Sequence, residues 1–326
     1  LPKIVQNIRE TILRYGGEVQ FNTKVVDLIT ARNQLKSIIL QDGNEMPVSR
    51  VILATGHSAR DIFYLLEKKN IALKAKSFAM GVRVEHPQQI IDSIQYHCKG
   101  ERDDLLPAAS YSLVQQVKNR GVYSFCMCPG GFIVPAATSP GEVVVNGMSP
   151  SKRNNLFANS GIVVEINVDE DIPKYEKYGV LKGLEYQKDL ERLAFTAGGR
   201  SQTAPAQRLT DFVEGILSSD LNPTSYQPGL RSAPLHSLLP RLIGSRLRTG
   251  FAEFGKKMKG YYTSEANIVG VESRTSSPVN IPRNEKLEHP EIKGLFPCGE
   301  GGGYAGGIVS AAMDGERCAE AAVAGL

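Results

Sequence analysis

Apolar residues at the start of the chain recur with the period of an α-helix. They lie at positions 4, 5, 8, 12 and 13, and the pattern stops at Gly16-Gly17, a typical helix end. Three extended stretches separated by short polar turns follow, over residues 19–29, 35–40 and 45–48. The pattern therefore predicts a helix over residues 1–15 and then a β-meander.

Two short apolar runs lie on either side of the middle of the chain, and the first is typical of a parallel strand that is covered on both faces. The first run, residues 51–54, ends at Thr55-Gly56, and a helix is predicted after it over residues 59–68. The second run, residues 294–297, lies near the end of the chain, directly before a segment that is rich in glycine. The first run is predicted to be a buried strand, and the second a strand-like run.

Between residues 71 and 265 the pattern changes to separated strands and amphipathic helices. Strand-like runs cover residues 78–84, 110–118, 121–128, 143–146 and 162–168. Helical patterns cover residues 181–196, 210–217 and 235–259. The predicted fold class is α/β: one domain made of residues 1–70 and 266–326, interrupted by an inserted α+β domain, residues 71–265, with an antiparallel sheet.

The glycine-rich segment joins the last predicted strand to a helix with a small apolar face. It reads Cys298-Gly299-Glu300-Gly301-Gly302-Gly303-Tyr304-Ala305-Gly306-Gly307. Glycine allows a positive φ and close backbone approach, and a helix start favours an anion or a carbonyl oxygen. Any sharp strand-to-helix connection can use glycines, so the turn gains meaning only from its position after the inserted domain.

Composition and charge narrow the class of protein. The chain of 326 residues carries a formal net charge of +4 with dispersed basic residues, so nucleic-acid binding is not implied. No apolar run reaches the roughly 20 residues that a membrane span needs. The five cysteines lack a paired zinc-binding spacing and the histidines lack ligand spacing, which predicts reduced thiols, a cytoplasmic protein and no metal.

The strand that ends in Ala54-Thr55-Gly56 and the turn at residues 299–303 together resemble the FAD proteins of the glutathione-reductase-like superfamily. In that superfamily a meander, a strand ending in Ala-Thr-Gly, a substrate insertion and a strand before a glycine-acid turn occur in the same order. The resemblance implies that residues 1–70 and 266–326 form part of a Rossmann-like FAD-binding domain. Residues 71–265 become the substrate or cap domain.

Four motifs give a closer resemblance, to a group of largely uncharacterised bacterial FAD-dependent dehydrogenases. They are Ala54-Thr55-Gly56-His57-Ser58-Ala59-Arg60-Asp61, Cys126-Met127-Cys128-Pro129-Gly130-Gly131, Glu272-Ser273-Arg274-Thr275-Ser276-Ser277-Pro278 and Cys298-Gly299-Glu300-Gly301. This resemblance implies FAD as the cofactor but gives almost no information about the substrate.

The superfamily opens with a Gly-x-Gly-x-x-Gly turn that holds the FAD pyrophosphate. No such fingerprint precedes Val51, so we expect a truncated fragment of a longer protein, without its N-terminal nucleotide-binding segment. The fragment alone is expected to be inactive, and whether it retains FAD stays open. A homo-oligomer is one way to cover the sheet edge that the missing strand leaves.

The resemblance assigns flavin contacts to three parts of the chain. They are Val25 and Val26 for adenine; Thr55, Gly56 and His57 after the first apolar strand; and Gly299, Glu300, Gly301, Gly302, Gly306, Gly307 and Ile308 around the glycine-rich turn. Glu300 stands where the superfamily more often has Asp, and its implied role is to bind the ribityl hydroxyls. The helix start is implied to face the pyrimidine carbonyl of the flavin.

Three side chains are candidates for catalysis. Cys126 and Cys128 flank Met127 at the end of a predicted strand, so both thiols are expected on one side. A flavin-coupled dithiol competes there with inert packing, because a disulfide across one intervening residue is strained. Arg274 is a candidate clamp for a substrate carboxylate or an anionic reduced flavin, and an ordinary salt bridge to Glu272 or another acid is the equal alternative.

The expected function of the intact protein is oxidoreductase chemistry, with hydride transfer through FAD to an unknown small-molecule substrate and NADH or NADPH as a candidate donor. A non-catalytic flavin-fold binding module is one alternative. A tRNA-modifying flavoprotein is another, because a row of basic residues lies opposite the apolar stripe of residues 235–259. These residues are Arg241, Arg246, Arg248, Lys256, Lys257 and Lys259.

Overall fold

The computed structural model describes residues 2–324, so Leu1 of the predicted first helix and residues 325–326 lie outside the described part. The first segment contains α1 (Pro2–Arg14), β1 (Val25–Ala31), β2 (Gln34–Leu40), β3 (Glu45–Pro47), β4 (Val51–Leu53) and α2 (Arg60–Lys68). The predicted helix and antiparallel meander are confirmed. Strand β1 begins later than predicted, after a turn in which Asn22 has a positive φ of 55°.

The apolar face of helix α1 lies in solvent. Ile4, Val5 and Ile8 are each more than half exposed, and none of the helix residues is buried. The period of the apolar residues correctly predicted the helix. It did not predict burial, because no described part of the chain covers this face.

The middle segment carries most of the secondary structure. Its elements are β5 (Lys74–Ala75), β6 (Phe78–Pro87), α3 (Gln88–Tyr96), β7 (Val114–Val117), β8 (Arg120–Cys128), β9 (Phe132–Pro135), β10 (Val145–Met148), β11 (Phe157–Ile166), a 3-10 stretch (Pro173–Leu181), α4 (Lys182–Ala197), β12 (Ala204–Arg208), α5 (Leu209–Glu214), β13 (Leu230–Ser232), α6 (Leu235–Leu238), α7 (Arg241–Lys257) and β14 (Asn267–Glu272). Sequence patterns did not predict α3, β9, β12 or β13, which are short.

Seven of these strands form one large sheet in the order β13-β12-β14-β6-β11-β8-β7. The sheet is mixed rather than antiparallel throughout, because β12 and β13 run parallel. Strand β14 lies between β12 and β6, so residues that the sequence pattern grouped with 266–326 pair with the sheet of the insertion. The domain boundaries themselves stay a prediction.

Proline divides the long helix that was predicted over residues 235–259. The structure has two helices, α6 and α7, separated by Leu239 and Pro240, and Leu239 is extended with a ψ of 142°. Proline lacks an N–H and disfavours helical geometry in the preceding residue. Helix α7 then packs its apolar face on the sheet through four fully buried side chains, Ile243, Leu247, Phe251 and Phe254.

The chain ends with β15 (Val279–Asn280), β16 (Leu295–Pro297), α8 (Gly299–Gly302) and α9 (Ile308–Val323). Strand β16 pairs in parallel with β4. Strand β16 is buried, whereas the prediction of a strand covered on both faces is wrong for β4, where Ile52 is 38% exposed. Residues from both ends of the chain share a second apolar core, which includes Leu53, Phe63 and Leu295. The molecule is thus a mixed α/β protein, and the Rossmann-like assignment stays a prediction.

Gly81 in β6 should tolerate no side chain. A Cβ atom there would lie 2.0 Å from the carbonyl oxygen of Ile162 on β11. We expect Gly81→Ala to lower the free energy of unfolding by about 3 kcal/mol or more, measured by urea denaturation. The matched control is Gly315→Ala in α9, where no atom lies within 4 Å, and which should gain about 0.5 to 1 kcal/mol. Equal stability of the two variants would contradict this packing.

Candidate functional site

Strands β4 and β16 end side by side. Because they run parallel, the residues after Leu53 and those after Pro297 leave the same edge. We call this the glycine edge, and it consists of Thr55, Gly56, His57 and residues 299–303. A Cβ on Gly301 would lie 2.8 Å from the carbonyl oxygen of Gly56, so the two backbones touch there. Glycine at position 301 is what allows this approach.

The glycine-rich turn contains a short helix, α8, which the sequence did not predict. Gly299 and Gly303, at its two ends, have positive φ values of 65° and 85°. The N–H of Gly299 donates to Asp314 Oδ2 at 2.8 Å, and this bond ties the turn to helix α9. Gly307 directly precedes that helix, whose first N–H groups have no acceptor within the helix itself.

Arg283 and Asp314 support the glycine-rich turn, and the sequence analysis identified neither of them. The guanidinium of Arg283 donates to both carboxylate oxygens of Asp314, at 2.7 and 3.0 Å, and lies 3.7 Å from the centre of the Tyr304 ring. Burial raises the pKa of Asp314, but the hydrogen bonds from Arg283 and Gly299 outweigh burial and lower it. Asp314 therefore stays charged as a fixed acceptor.

Cys298, Asp314 and Cys318 form a buried cluster whose ligand-type atoms all lie within 4.8 Å of one another. The two oxygens of Asp314 already accept from Arg283 and Gly299. Arg283 Nη1 lies 3.5 Å from Cys318 Sγ, and its positive charge opposes a metal cation. The cluster thus resembles a packed support for the turn.

Three titratable side chains meet at the glycine edge. His57 Nδ1 lies 3.1 Å from Glu300 Oε1, and Lys76 donates from Nζ to the carbonyl oxygen of Gly303 at 2.8 Å. Burial lowers the pKa of Lys76, and the charge of Glu300 opposes that effect. Lys76 was missed from the sequence, because it precedes the long strand β6 without any motif of its own.

Part of the glycine edge and the adjoining start of α9 are open to solvent. No atom lies within 4 Å of a Cβ built on Gly56 or Gly306, and Ile308 is 74% exposed at the start of α9. Thr55, Gly306 and Gly307 are also exposed. His57 Nε2 is buried and has no hydrogen-bond partner in residues 2–324. The exposed start of α9 and the space beside Gly56 therefore leave room for a ligand.

The structure brings together most of the predicted flavin contacts. The residues that meet at the glycine edge or at the adjoining helix start are Thr55, Gly56, His57, Gly299, Glu300, Gly301, Gly302, Gly306, Gly307 and Ile308. Val25 and Val26 lie elsewhere, in β1 of the small meander sheet, where Val25 pairs with Leu40. Their assignment to adenine stays a prediction.

Arg274, the candidate clamp, lies in a buried network with Arg60, Glu142 and Glu191. Its five N–H donors match five acceptors within 3.3 Å. These acceptors are Ser58 Oγ, Thr138 Oγ1, Glu142 Oε2 and both carboxylate oxygens of Glu191. A substrate would have to displace one of them, so the geometry favours the salt-bridge alternative, although the partners are not Glu272, which pairs with Arg83.

Glu191 is the central acceptor of this network. It accepts from Arg60, Arg274 and Ser273, whereas the Glu142 carboxylate accepts from the two arginines. Burial raises the pKa of both carboxyls. In Glu191 the hydrogen bonds and charges of the arginines outweigh burial and lower the pKa, whereas in Glu142 the charge of Glu191 adds to burial and the pKa rises.

The cysteine pair and the basic helix belong to the middle segment of the chain and not to the residues of the glycine edge. Cys126 is exposed and Cys128 is buried, at the end of β8. On α7, Arg248 donates to the Val213 carbonyl, Lys257 to the Val114 carbonyl, and Lys256 pairs with Glu253. Arg248 is partly buried, whereas Arg241, Lys256, Lys257 and Lys259 are exposed.

The class of protein that this geometry fits is an α/β protein in which two parallel strands end at a glycine-lined edge. A family model described as "FAD-dependent protein, C-terminal domain-like" matches residues 77–275, which begin just before β6 and end just after β14. An uncharacterised protein of Clostridium beijerinckii (strain ATCC 51743 / NCIMB 8052) is 42% identical over 98% of this chain. The chain belongs to this FAD-dependent protein family.

The chain spans 60% of the length of the Clostridium protein. None of the helices within residues 2–324 is long and apolar enough to cross a membrane.

Removing the charge of Glu191, the central acceptor of the buried network, should destabilise the folded protein. We expect Glu191→Gln to lower the free energy of unfolding by about 3 to 5 kcal/mol, because two buried guanidiniums lose their shared carboxylate. Glu142→Gln should cost about half as much, since Glu191 still faces both arginines. Urea denaturation at neutral pH measures both.

The control for these variants is Glu253→Gln, which breaks a surface pair with Lys256. Its cost should stay within about 0.5 kcal/mol, as for exposed pairs in general. If Glu142→Gln costs more than Glu191→Gln, Glu191 is not the central acceptor.

Proposed function

We propose that the full-length protein is an FAD-dependent oxidoreductase and that the glycine edge holds the flavin end of the cofactor. The observation that carries this proposal is the parallel pairing of β4 with β16, which aligns Gly56 and Gly301 beside the open start of α9. Membership of the FAD-dependent protein family supports the cofactor. The oxidoreductase activity is our inference from these two facts.

The residues at the glycine edge have the chemistry that FAD requires. Glu300 provides a carboxylate for sugar-type hydroxyls, and the unfilled space at Gly56 and Gly306 admits a planar group close to the backbone. The free N–H groups at the start of α9 suit a carbonyl or phosphate oxygen.

Bound FAD would supply the hydride-accepting ring, and the surrounding residues would bind it, orient it and exclude water. His57 positions Glu300 through their 3.1 Å contact. Lys76 places a positive charge beside Gly303, where it would balance negative charge that develops on a reduced flavin. Residues 71–265 would then supply the pocket for a small-molecule substrate, and NADH or NADPH would supply electrons.

The visible absorption spectrum of the purified full-length protein tests the proposal. We expect flavin absorbance that persists through gel filtration and bleaches when NADH or NADPH is added under anaerobic conditions. Gly301→Val should remove most of the bound flavin, because a side chain there collides with the backbone of Gly56. Gly315→Ala, in the same terminal region, is the matched control and should keep it.

Each result discriminates between functions. Bound flavin that neither NADH nor NADPH reduces would support a non-catalytic module or a different electron donor. It would contradict the proposal that a nicotinamide cofactor supplies the electrons. Full flavin occupancy in a folded Gly301→Val protein would place the cofactor elsewhere. Copurifying RNA would support the tRNA-linked alternative.

A further inference from the structure

Cys126 and Cys128 lie at an irregularity in the large sheet. Strand β11 pairs Asn159 with Cys128 and Gly161 with Phe125, so β8 carries one extra residue at this point. Cys126 has a positive φ of 47°, as expected for a β-bulge. Bulges redirect side chains, and here the result is one exposed thiol next to one buried thiol.

The two cysteines remain in contact despite the bulge. The buried Cys128 Sγ donates to the backbone carbonyl oxygen of Cys126 at 3.3 Å. Cys128 is only 5% exposed, so a reagent from solvent meets Cys126 first. The arrangement therefore has an accessible sulfur and, directly behind it, a protected one.

A buried cation lies against the pair. Arg83 is completely buried on β6, with Nε bonded to Glu272 at 2.7 Å and Nη1 bonded to Asn159 at 2.6 Å. The same Nη1 lies 3.3 Å from the Cys126 carbonyl oxygen and 3.9 Å from Cys128 Sγ. Its Nη2 is buried and has no partner within residues 2–324, so one cationic donor beside the thiols is uncommitted.

We propose that Cys126 and Cys128 form a thiol–disulfide exchange site for small disulfides, with Cys126 as the attacking sulfur and Cys128 as the resolving one. The proposal does not depend on flavin binding, because all its groups lie on β6, β8, β11 and β14 of the large sheet. It differs from inert packing in requiring both thiols to react in a fixed order.

The chemistry consists of two displacements. The Cys126 thiolate attacks one sulfur of a disulfide RSSR, the S–S bond breaks, RS⁻ leaves and a mixed disulfide forms. Cys128 then loses its proton and attacks Cys126 Sγ, which expels the second RS⁻ and forms a Cys126–Cys128 disulfide. Two protein thiols are oxidised, RSSR is reduced to two thiols, and the two protons released from the protein end on those thiols.

The electrostatics of the pair support this order of events. The hydrogen bond from Cys128 lowers the pKa of Cys126 to about 6, burial opposes the change, and the charge of Arg83 assists it. The same hydrogen bond, together with burial, raises the pKa of Cys128. A disulfide that closes across one residue is strained, so the oxidised form should be reduced readily and the exchange should be reversible.

The test uses dithiobis(nitrobenzoate), a small disulfide whose released thiolate is coloured. Cys98→Ser protein is the parent, because Cys98 is the other thiol within residues 2–324 that is not buried. We expect the parent to release two coloured thiolates per chain and to lose two hydrogens by intact mass, without a retained adduct. This measurement needs no change at either proposed residue.

Two further variants in the parent background separate the roles. Cys128→Ser should release one thiolate and retain the adduct, and Cys126→Ser should react roughly tenfold more slowly or worse, since Cys128 is buried. The midpoint of the pH–rate profile for alkylation of Cys126 should move to higher pH in Cys128→Ser. A parent that keeps one adduct, or a Cys126→Ser protein that reacts as fast as the parent, would overturn the proposal.

Discussion

The buried network of Arg60, Arg274, Glu142 and Glu191 joins the two parts of the molecule. Arg60 begins α2, directly after the glycine edge, whereas Glu142 and Glu191 belong to the middle segment and Arg274 follows β14. Two buried cations balance two buried carboxylates, so the group is stable only when complete. The network thus links the segment that follows the glycine edge to the middle segment and to the end of β14.

Much of the fold followed from local patterns. The helical period gave α1 and α4, and alternation gave the meander and most strands of the large sheet, because these signals depend on near neighbours. The position of β14 did not follow, since nothing in its six residues specifies that they enter the sheet between β6 and β12. Pro240 was a readable stop signal within an otherwise convincing helical stripe.

The candidate site divides in the same way. Thr55, Gly56 and the residues around Glu300 were found because motifs mark them. Lys76, Arg283 and Asp314 were not found, because a single charged residue has no local signature and its partner is distant in sequence. Arg274 shows the limit of a motif, which identified a buried, multiply bonded arginine but not the partners that occupy it.

The parallel pairing of β4 with β16 also bears on the order of events during synthesis. Its two strands come from opposite ends of the chain, and every strand of the large sheet lies between them. The ribosome therefore synthesises all strands of the large sheet before β16. The sheet can fold as a unit at a stage when β4 still lacks its pairing partner. The glycine edge is then the last part of this chain to assemble, and a protein truncated before β16 would keep the strands of its large sheet but lack the glycine edge.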